Sequence, residues 1–96
     1  MVNWTETAIA NLQAIRDYVA RDSPGYAQVM VDRIIGRTQL LASLPMLGAE
    51  VPEYRDASIR ELLEHPYRIV YRVMPHQIDV VAVIHGSRRI PRSAPK

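Results

Sequence analysis

The fold is decided by residues 58–91, which read SIRELLEHPYRIVYRVMPHQIDVVAVIHGSRRIP. This stretch contains three short runs, at residues 58–63, 67–74 and 78–84, separated by a proline-containing bend and a tight turn. Runs of this length, rich in Val, Ile and Tyr and bounded by turn residues, are typical of β-strands. The segment therefore predicts three consecutive strands that form a meander.

The middle run has two different faces, because side chains two positions apart lie on the same side of a strand. One face is apolar and contains Tyr67, Ile69, Tyr71 and Val73, and the other carries guanidinium groups and contains Arg68, Val70, Arg72 and Met74. In the last run, strict alternation would place Ile78, Val80, Ala82 and Ile84 on one face and Asp79, Val81, Val83 and His85 on the other. Both of these faces are largely apolar, which favours a strand inside the sheet over one at its rim.

Two helices are predicted before these strands. Thr5 is a suitable N-cap, and an apolar stripe then repeats at three and four positions, which indicates a helix over residues 5–21. Ser23 followed by Pro24 starts a second helix after a very short turn. With a brief strand at residues 1–4, the chain reads as α+β: a helical hairpin packed on a mainly antiparallel sheet in the order β-α-α-β-β-β.

Length and composition indicate one domain, which we place at residues 1–91, followed by a flexible basic tail at residues 92–96. The chain has 96 residues and no cysteine, so disulfides and thiolate metal sites are excluded. No long apolar run is present that could act as a signal peptide or membrane span, and we expect a cytoplasmic protein without a membrane partner.

Basic residues dominate the end of the chain: the last twelve residues carry four cations and no anion. A cationic surface suits nucleic acid, a nucleic-acid enzyme or an acidic protein, although it can also serve only for solubility. The candidate target-binding residues are Arg60, Arg68, Arg72, Arg88 and Arg89. Guanidinium groups bind phosphates and carboxylates through paired donors. Cross-strand ion pairs with Glu61, Glu64 or Asp79 are the alternative for the strand arginines.

The three histidines are spaced too far apart to predict a metal site, and we expect neither a metal nor another cofactor. His85 follows the last strand and lies close in sequence to Arg88 and Arg89, whose charges would favour a neutral imidazole that can accept a proton. A structural hydrogen bond is the alternative role for this histidine.

Several motifs occur together and in order along nearly the whole chain. They are the helix opening at Trp4 to Leu12, Ser23–Pro24 with Ala27, Leu44–Pro45 with Gly48, Ile59–Arg60–Glu61–Leu62, the strand from Tyr67 to Val73, and Ile78–His85 followed by Arg88–Arg89. In this combination the chain resembles toxins of the RelE/ParE superfamily, the stable partners in bacterial type II toxin–antitoxin modules. The resemblance implies a helical hairpin against a curved antiparallel sheet.

The superfamily contains two activities, and the residues match them unequally. RelE-like toxins cut messenger RNA on the ribosome without a metal. Arg68 and Arg88 match two arginines of RelE, and a RelE-like chain would use them with His85 and Glu61 in catalysis. However, Ile59 and Glu61 stand where RelE has lysines, and the tyrosine expected after Arg88 is absent.

The strand Ile78–His85 is more similar to ParE, which implies an inhibitor of DNA gyrase that blocks replication and is not an enzyme. In either case the resemblance implies an antitoxin whose disordered segment folds on the toxin to give a hetero-oligomer. We expect it to bind an apolar groove on the helices with Ile9, Ile35 and Leu40. A third interpretation is an inactive toxin that only binds its antitoxin and co-regulates their operon.

Overall fold

A helical hairpin covers one face of a five-stranded sheet in the computed structural model, which describes residues 1–86. The elements are β1 (Val2–Trp4), α1 (Glu6–Ala20), α2 (Pro24–Gln39), a 3₁₀ turn (Leu40–Ala42), β2 (Ala49–Glu50), β3 (Ile59–Glu64), β4 (Tyr67–Val73) and β5 (Ile78–His85). The α+β class and the predicted order of elements are confirmed, with β2 as an additional two-residue strand. The predicted tail at residues 92–96, Arg88 and Arg89 lie outside the described residues.

The strands lie in the order β1-β5-β4-β3-β2, so β5 is inside the sheet as predicted. All neighbours are antiparallel except β1, which runs parallel to β5 and pairs Val2, Asn3 and Trp4 with Ile78, Asp79 and Val80. Backbone hydrogen bonds extend this pairing at both ends, from Ile78 N to the Met1 carbonyl at 2.8 Å and from Thr5 N to the Val80 carbonyl at 3.1 Å.

The predicted caps begin both helices. The Thr5 hydroxyl accepts a hydrogen bond from Ala8 N at 3.2 Å and also lies 3.1 Å from the Val80 carbonyl, so it fixes the start of α1 against β5. The Ser23 hydroxyl accepts a hydrogen bond from Tyr26 N at 3.4 Å, with Pro24 at the first helical position. None of the described helices is long and apolar enough to cross a bilayer.

The sheet is apolar on both faces. The first core lies between the helices and the sheet, and its buried members include Ala8, Met30, Ile34, Leu41, Ile69 and Tyr71. The second core lies on the opposite side of the sheet, which we call the reverse face, and consists of Val51, Tyr54, Ile59, Val70 and Val81. Residues 51–58, which join β2 to β3, form the cover of this second core.

The alternation predicted for β5 is wrong beyond Val81. Tyr71 pairs with Val80 whereas Val70 pairs with Ala82, so β5 carries one extra residue at this point. An extra residue reverses the facing of every side chain that follows. As a result Val83 joins Ile78 and Val80 in the first core, while Ala82 and Ile84 pack against the second.

Candidate functional site

Arg68 lies on the reverse face and is the centre of a buried ionic cluster. Its Nε donates to Glu61 Oε1 at 2.6 Å, and its Nη1 and Nη2 donate to Glu53 Oε2 and Oε1, both at 2.9 Å. The Arg68 side chain is only 9% exposed. The hydrogen bonds to Glu53, reinforced by those to Glu61, raise the pKa of Arg68 against the opposing effect of burial. We call Arg68, Glu53 and Glu61 the reverse-face cluster.

Two different elements supply the carboxylates. Glu61 is opposite Val70 in the β3–β4 ladder, which places it diagonally beside Arg68 on the same face. Glu53 comes from the connection between β2 and β3, where Val51 is fully buried and its carbonyl accepts a hydrogen bond from Tyr54 N at 3.0 Å. The second core therefore holds this connection, and with it Glu53, over the sheet.

Within residues 1–86, two carboxylates, from Glu53 and Glu61, form ion pairs with the Arg68 guanidinium. Tyr54 lies beside the cluster, and its pKa is raised first by burial and then by the Glu53 carboxylate, with Arg68 acting in the opposite direction. The Arg68 guanidinium thus combines low solvent access with direct contact to two carboxylates.

The other predicted arginines do not join Arg68 in one cluster. Arg60 is opposite Tyr71, a first-core residue, and its side chain donates to the Gly48 carbonyl at 2.8 Å and the Ala57 carbonyl at 3.1 Å. Arg72 shares the reverse face with Arg68 and is half-buried. It lies close enough to Asp56 to contribute to the lowered pKa of that carboxyl, which arises chiefly from hydrogen bonds with Ser58.

His85 lies across the sheet from the reverse-face cluster. It is opposite Tyr67, a first-core residue, and the two rings meet edge to face with centroids 5.9 Å apart. Both line an open groove beside α1 together with Asn11, Ile15 and Tyr18. The structure therefore brings Arg68 and Glu61 together and keeps His85 apart from them.

The residues predicted to bind an antitoxin differ in exposure: Ile9 and Leu40 are partly exposed, and Ile35 is half-buried.

Glu53 was missed as a partner of Arg68, because nothing in the sequence shows that its loop folds back over the sheet. Within residues 1–86, no group of three or more His, Asp or Glu side chains is arranged to hold a metal ion.

Comparison with known proteins identifies the family. The sequence matches the profile of the ParE toxin of the type II toxin–antitoxin system parDE over residues 2–90. The chain belongs to the ParE toxin family. This ParE-family toxin is 38% identical over 88 residues to Toxin RelE2 of Caulobacter vibrioides, a match that covers 91% of the chain and 96% of the relative.

A solved structure supports the same assignment. The ParE-family fold described here superimposes on a chain of the chromosomal ParDE toxin–antitoxin system from P. aeruginosa with a TM-score of 0.72 and 30% sequence identity. The superposition covers 88% of this chain and 92% of the other. The fold predicted from the strand and helix patterns is therefore also that of a chain in a solved toxin–antitoxin system.

Proposed function

We propose that this ParE-family toxin inhibits DNA gyrase, so that it blocks replication and growth, and that a cognate antitoxin neutralises it by binding. The family match supports a toxin. The burial and the ion pairs of Arg68 favour a gyrase inhibitor over a ribonuclease. Among the residues that a RelE-like chain would use, Arg68 has its guanidinium engaged with Glu53 and Glu61.

A ribonuclease needs cationic donors that can reach the scissile phosphate. In this chain the three nitrogens of Arg68 donate to carboxylates, which occupy the positions that a phosphate would need. An RNA phosphate could contact Arg68 only by displacing Glu53 or Glu61, which would leave a buried carboxylate without its cation.

The position of His85 supports the same proposal. A proton acceptor must lie within hydrogen-bond reach of the reacting group. His85 packs on Tyr67 at the side of the sheet that carries the helices, whereas Arg68 and Glu61 are on the reverse face. These three residues cannot surround one phosphate in this arrangement.

The antitoxin part of the proposal is supported by the family and by the similarity to the chromosomal ParDE toxin–antitoxin system from P. aeruginosa. We propose the same kind of complex, a hetero-oligomer of toxin and antitoxin, for this chain. No membrane component is required.

The test is a gyrase supercoiling and DNA-cleavage assay with the purified chain, run beside a messenger-cleavage assay on translating ribosomes. We expect gyrase-linked DNA breaks or loss of supercoiling, with intact messenger, and we expect the antitoxin to reverse the effect. An Arg72→Ala variant tests the exposed part of the reverse face, with Arg55→Ala as an exposed control from the nearby loop.

The relative named Toxin RelE2 gives a reason to test a second candidate function, a ribosome-dependent messenger endonuclease. Messenger cut on the ribosome with gyrase unaffected would overturn the gyrase proposal and establish this activity. Absence of both effects, with antitoxin binding retained, would instead indicate an inactive co-regulator.

A further inference from the structure

The open groove beside α1 lies next to the first residue of β4 and the last residue of β5. We call it the α1 groove, and the residues that line it include Asn11, Ile15, Tyr18, Pro66, Tyr67 and His85. Its volume of about 550 Å³ is within the range of about 300–1,000 Å³ that is usual for small-molecule sites. The proposed action on gyrase gives this groove no role.

Aromatic rings from three elements line the α1 groove. Tyr18 belongs to α1, Tyr67 begins β4 and His85 ends β5. Tyr67 is buried, and the edge-to-face contact holds its ring against that of His85. Tyr18 lies near enough to Tyr67 to contribute, after burial, to the raised pKa of the Tyr67 phenol. The groove therefore has aromatic rings on its helix side and on its sheet side.

Tyr18 has no evident role in the core. It is 70% exposed, so packing within the domain does not account for a tyrosine at this position. Exposed aromatic rings of proteins that bind single-stranded nucleic acid serve as surfaces on which nucleobases stack, because every base has a flat face. Tyr18 offers such a surface at the rim of the groove.

Asn11 adds hydrogen-bonding capacity to the groove. Its Oδ1 accepts the hydrogen bond from Val83 N at 3.1 Å, which fixes the orientation of the amide. The amide then has two N–H donors on Nδ2, and within residues 1–86 these donate to no other protein group. Asparagine amides are suited to the acceptor atoms at the edge of a nucleobase.

Charge decides which class of flat ligand fits. The described residues that line the groove include no Asp, Glu, Lys or Arg, and His85 is the one among them that can carry a positive charge. The sequence after Gly86 adds four cations and no anion. A cationic ligand would therefore find no carboxylate in the groove, whereas the phosphate of a nucleotide has the sign that complements the nearby sequence.

We propose that the α1 groove binds one unpaired nucleobase, either of a free nucleotide or of single-stranded nucleic acid. The base stacks on Tyr18, packs against Ile15 and accepts a hydrogen bond from Asn11 Nδ2. A base inside a duplex is not available for this contact, because its neighbours in the stack cover its faces. This inference goes beyond the proposed function, since it requires neither gyrase nor the antitoxin.

The first test titrates the full chain into the 5′-monophosphate of 2-aminopurine riboside, a fluorescent adenine nucleotide whose emission falls when its base stacks. We expect saturable quenching that adenosine 5′-monophosphate reverses by competition. Ribose 5-phosphate should not compete, because it has the phosphate without the base. Equal competition by ribose 5-phosphate would overturn the inference, as would the absence of quenching both with this nucleotide and with a single strand that contains 2-aminopurine.

A short strand of thymidines with one 2-aminopurine distinguishes the two sources of the base. Tighter binding of this single strand than of the free nucleotide would assign the groove to an unpaired base within nucleic acid. Equal or weaker binding of the strand would assign it to a free nucleotide. Equal affinity for the same strand after annealing to its complement would contradict the proposal, since a paired base cannot enter the groove.

Variants of Tyr18 separate stacking from folding. Tyr18→Ala should weaken nucleotide binding about tenfold, which is within the range for one stacked base, while the denaturation midpoint stays nearly unchanged because the side chain is exposed. Tyr18→Phe keeps the ring and should retain the affinity of the wild-type chain. Equal affinities of the wild-type chain, Tyr18→Ala and Tyr18→Phe would contradict the proposed site.

Asn11→Asp tests the amide donor. Aspartate retains an acceptor for Val83 N but has no N–H, so binding should weaken about tenfold while the Val83 amide stays protected from hydrogen exchange. Gln13→Glu adds the same charge at an exposed position of the same helix and should have little effect. Unchanged affinity in Asn11→Asp, or an equal loss in Gln13→Glu, would overturn the inference.

Discussion

At the scale of single residues, the guanidinium of Arg68 lies buried between Glu53 and Glu61. Replacing Arg68 is therefore expected to lower the stability of the fold, whether or not a target is present. Loss of toxicity in an Arg68 variant would not by itself indicate catalysis. An ion pair between Arg68 and Glu61 was one of the alternatives that the sequence left open, because the two residues lie on consecutive predicted strands. It did not predict Glu53, whose position depends on how the loop folds.

We predict that Arg68→Met lowers the free energy of unfolding by about 3–5 kcal/mol, because two buried carboxylates lose their cation. Chemical denaturation measures this change. A triple variant, Arg68→Met with Glu53→Gln and Glu61→Gln, should recover part of the loss, since the two carboxylates that lost Arg68 are then neutral. A triple variant less stable than Arg68→Met would contradict this explanation.

Tyr71 joins the first core to the loop that precedes β2. Its buried hydroxyl accepts a hydrogen bond from Gly48 N at 2.9 Å and donates to the Pro45 carbonyl at 2.8 Å. We predict that Tyr71→Phe lowers the free energy of unfolding by about 1–3 kcal/mol, because a buried N–H loses its partner. Tyr18→Phe, at a tyrosine that is mostly exposed, is the control and should leave the denaturation midpoint unchanged.

The raised pKa values of Tyr54 and Tyr67 predict how stability changes at alkaline pH. Burial is the main cause of both shifts, so the unfolded chain loses these phenolic protons at a lower pH than the folded chain. Stability is therefore retained below the ordinary tyrosine pKa of 10.0 and declines as the pH rises above it. Tyr54→Phe should reduce this decline in denaturation experiments run from pH 8 to about 11. An unchanged slope would exclude Tyr54 as a contributor.

At the scale of elements, β5 shows where sequence patterns are sufficient and where they fail. Its apolar residues on both faces correctly predicted an interior strand. The extra residue at Val81 was not predictable, because residues 80–84 are all apolar and no polar side chain among them marks the reversal. The first residues of the two helices were easier to predict, since Thr5 and Ser23 are residue types that commonly cap helices.

The outer edge of β5 is only partly paired, because β1 ends opposite Val80. Beyond it, Asn11 Oδ1 accepts a hydrogen bond from Val83 N at 3.1 Å and replaces a strand partner. We predict that Asn11→Ala accelerates hydrogen exchange of the Val83 amide while exchange at the centre of β4 stays slow. Gln13→Ala on the same helix should leave the Val83 amide protected, and equal acceleration by both would refute the role of Asn11.

At the scale of the whole molecule, β4 connects the two cores. It contributes Ile69 and Tyr71 to the first and Val70 to the second. Because neighbouring residues of one strand are buried on opposite sides, neither core can be lost without exposing part of the other. We therefore expect the described domain to unfold as one cooperative unit.

The corresponding prediction compares one substitution in each core. Ile34→Ala should cost about 2–5 kcal/mol and Val51→Ala about 2 kcal/mol of unfolding free energy. Trp4 packs against the first core, so its fluorescence reports that side of the sheet. Val51→Ala should lower the midpoint seen by Trp4 as much as the midpoint seen by circular dichroism. A Trp4 transition that stays at the wild-type midpoint would show that the two cores unfold separately.

The general architecture could be predicted from the sequence, because hydrophobic periodicity and helix caps are local features. The arrangement around Arg68 could not be predicted in full, since it depends on contacts between a loop and a sheet. The same limit applies to the surface of α2. Its buried side carries Ala27, Met30 and Ile34 at spacings of three and four, but only the packed structure shows that Val29 and Leu40 remain exposed.

The parallel pairing of β1 with β5 has a consequence for synthesis of the toxin on the ribosome. Residues 2–4 leave the exit tunnel well before their strand partners, residues 78–80. The sheet cannot close until those later residues have also emerged, so contacts of this long separation delay folding. We expect the nascent domain to remain incompletely folded until residues 78–80 have left the tunnel.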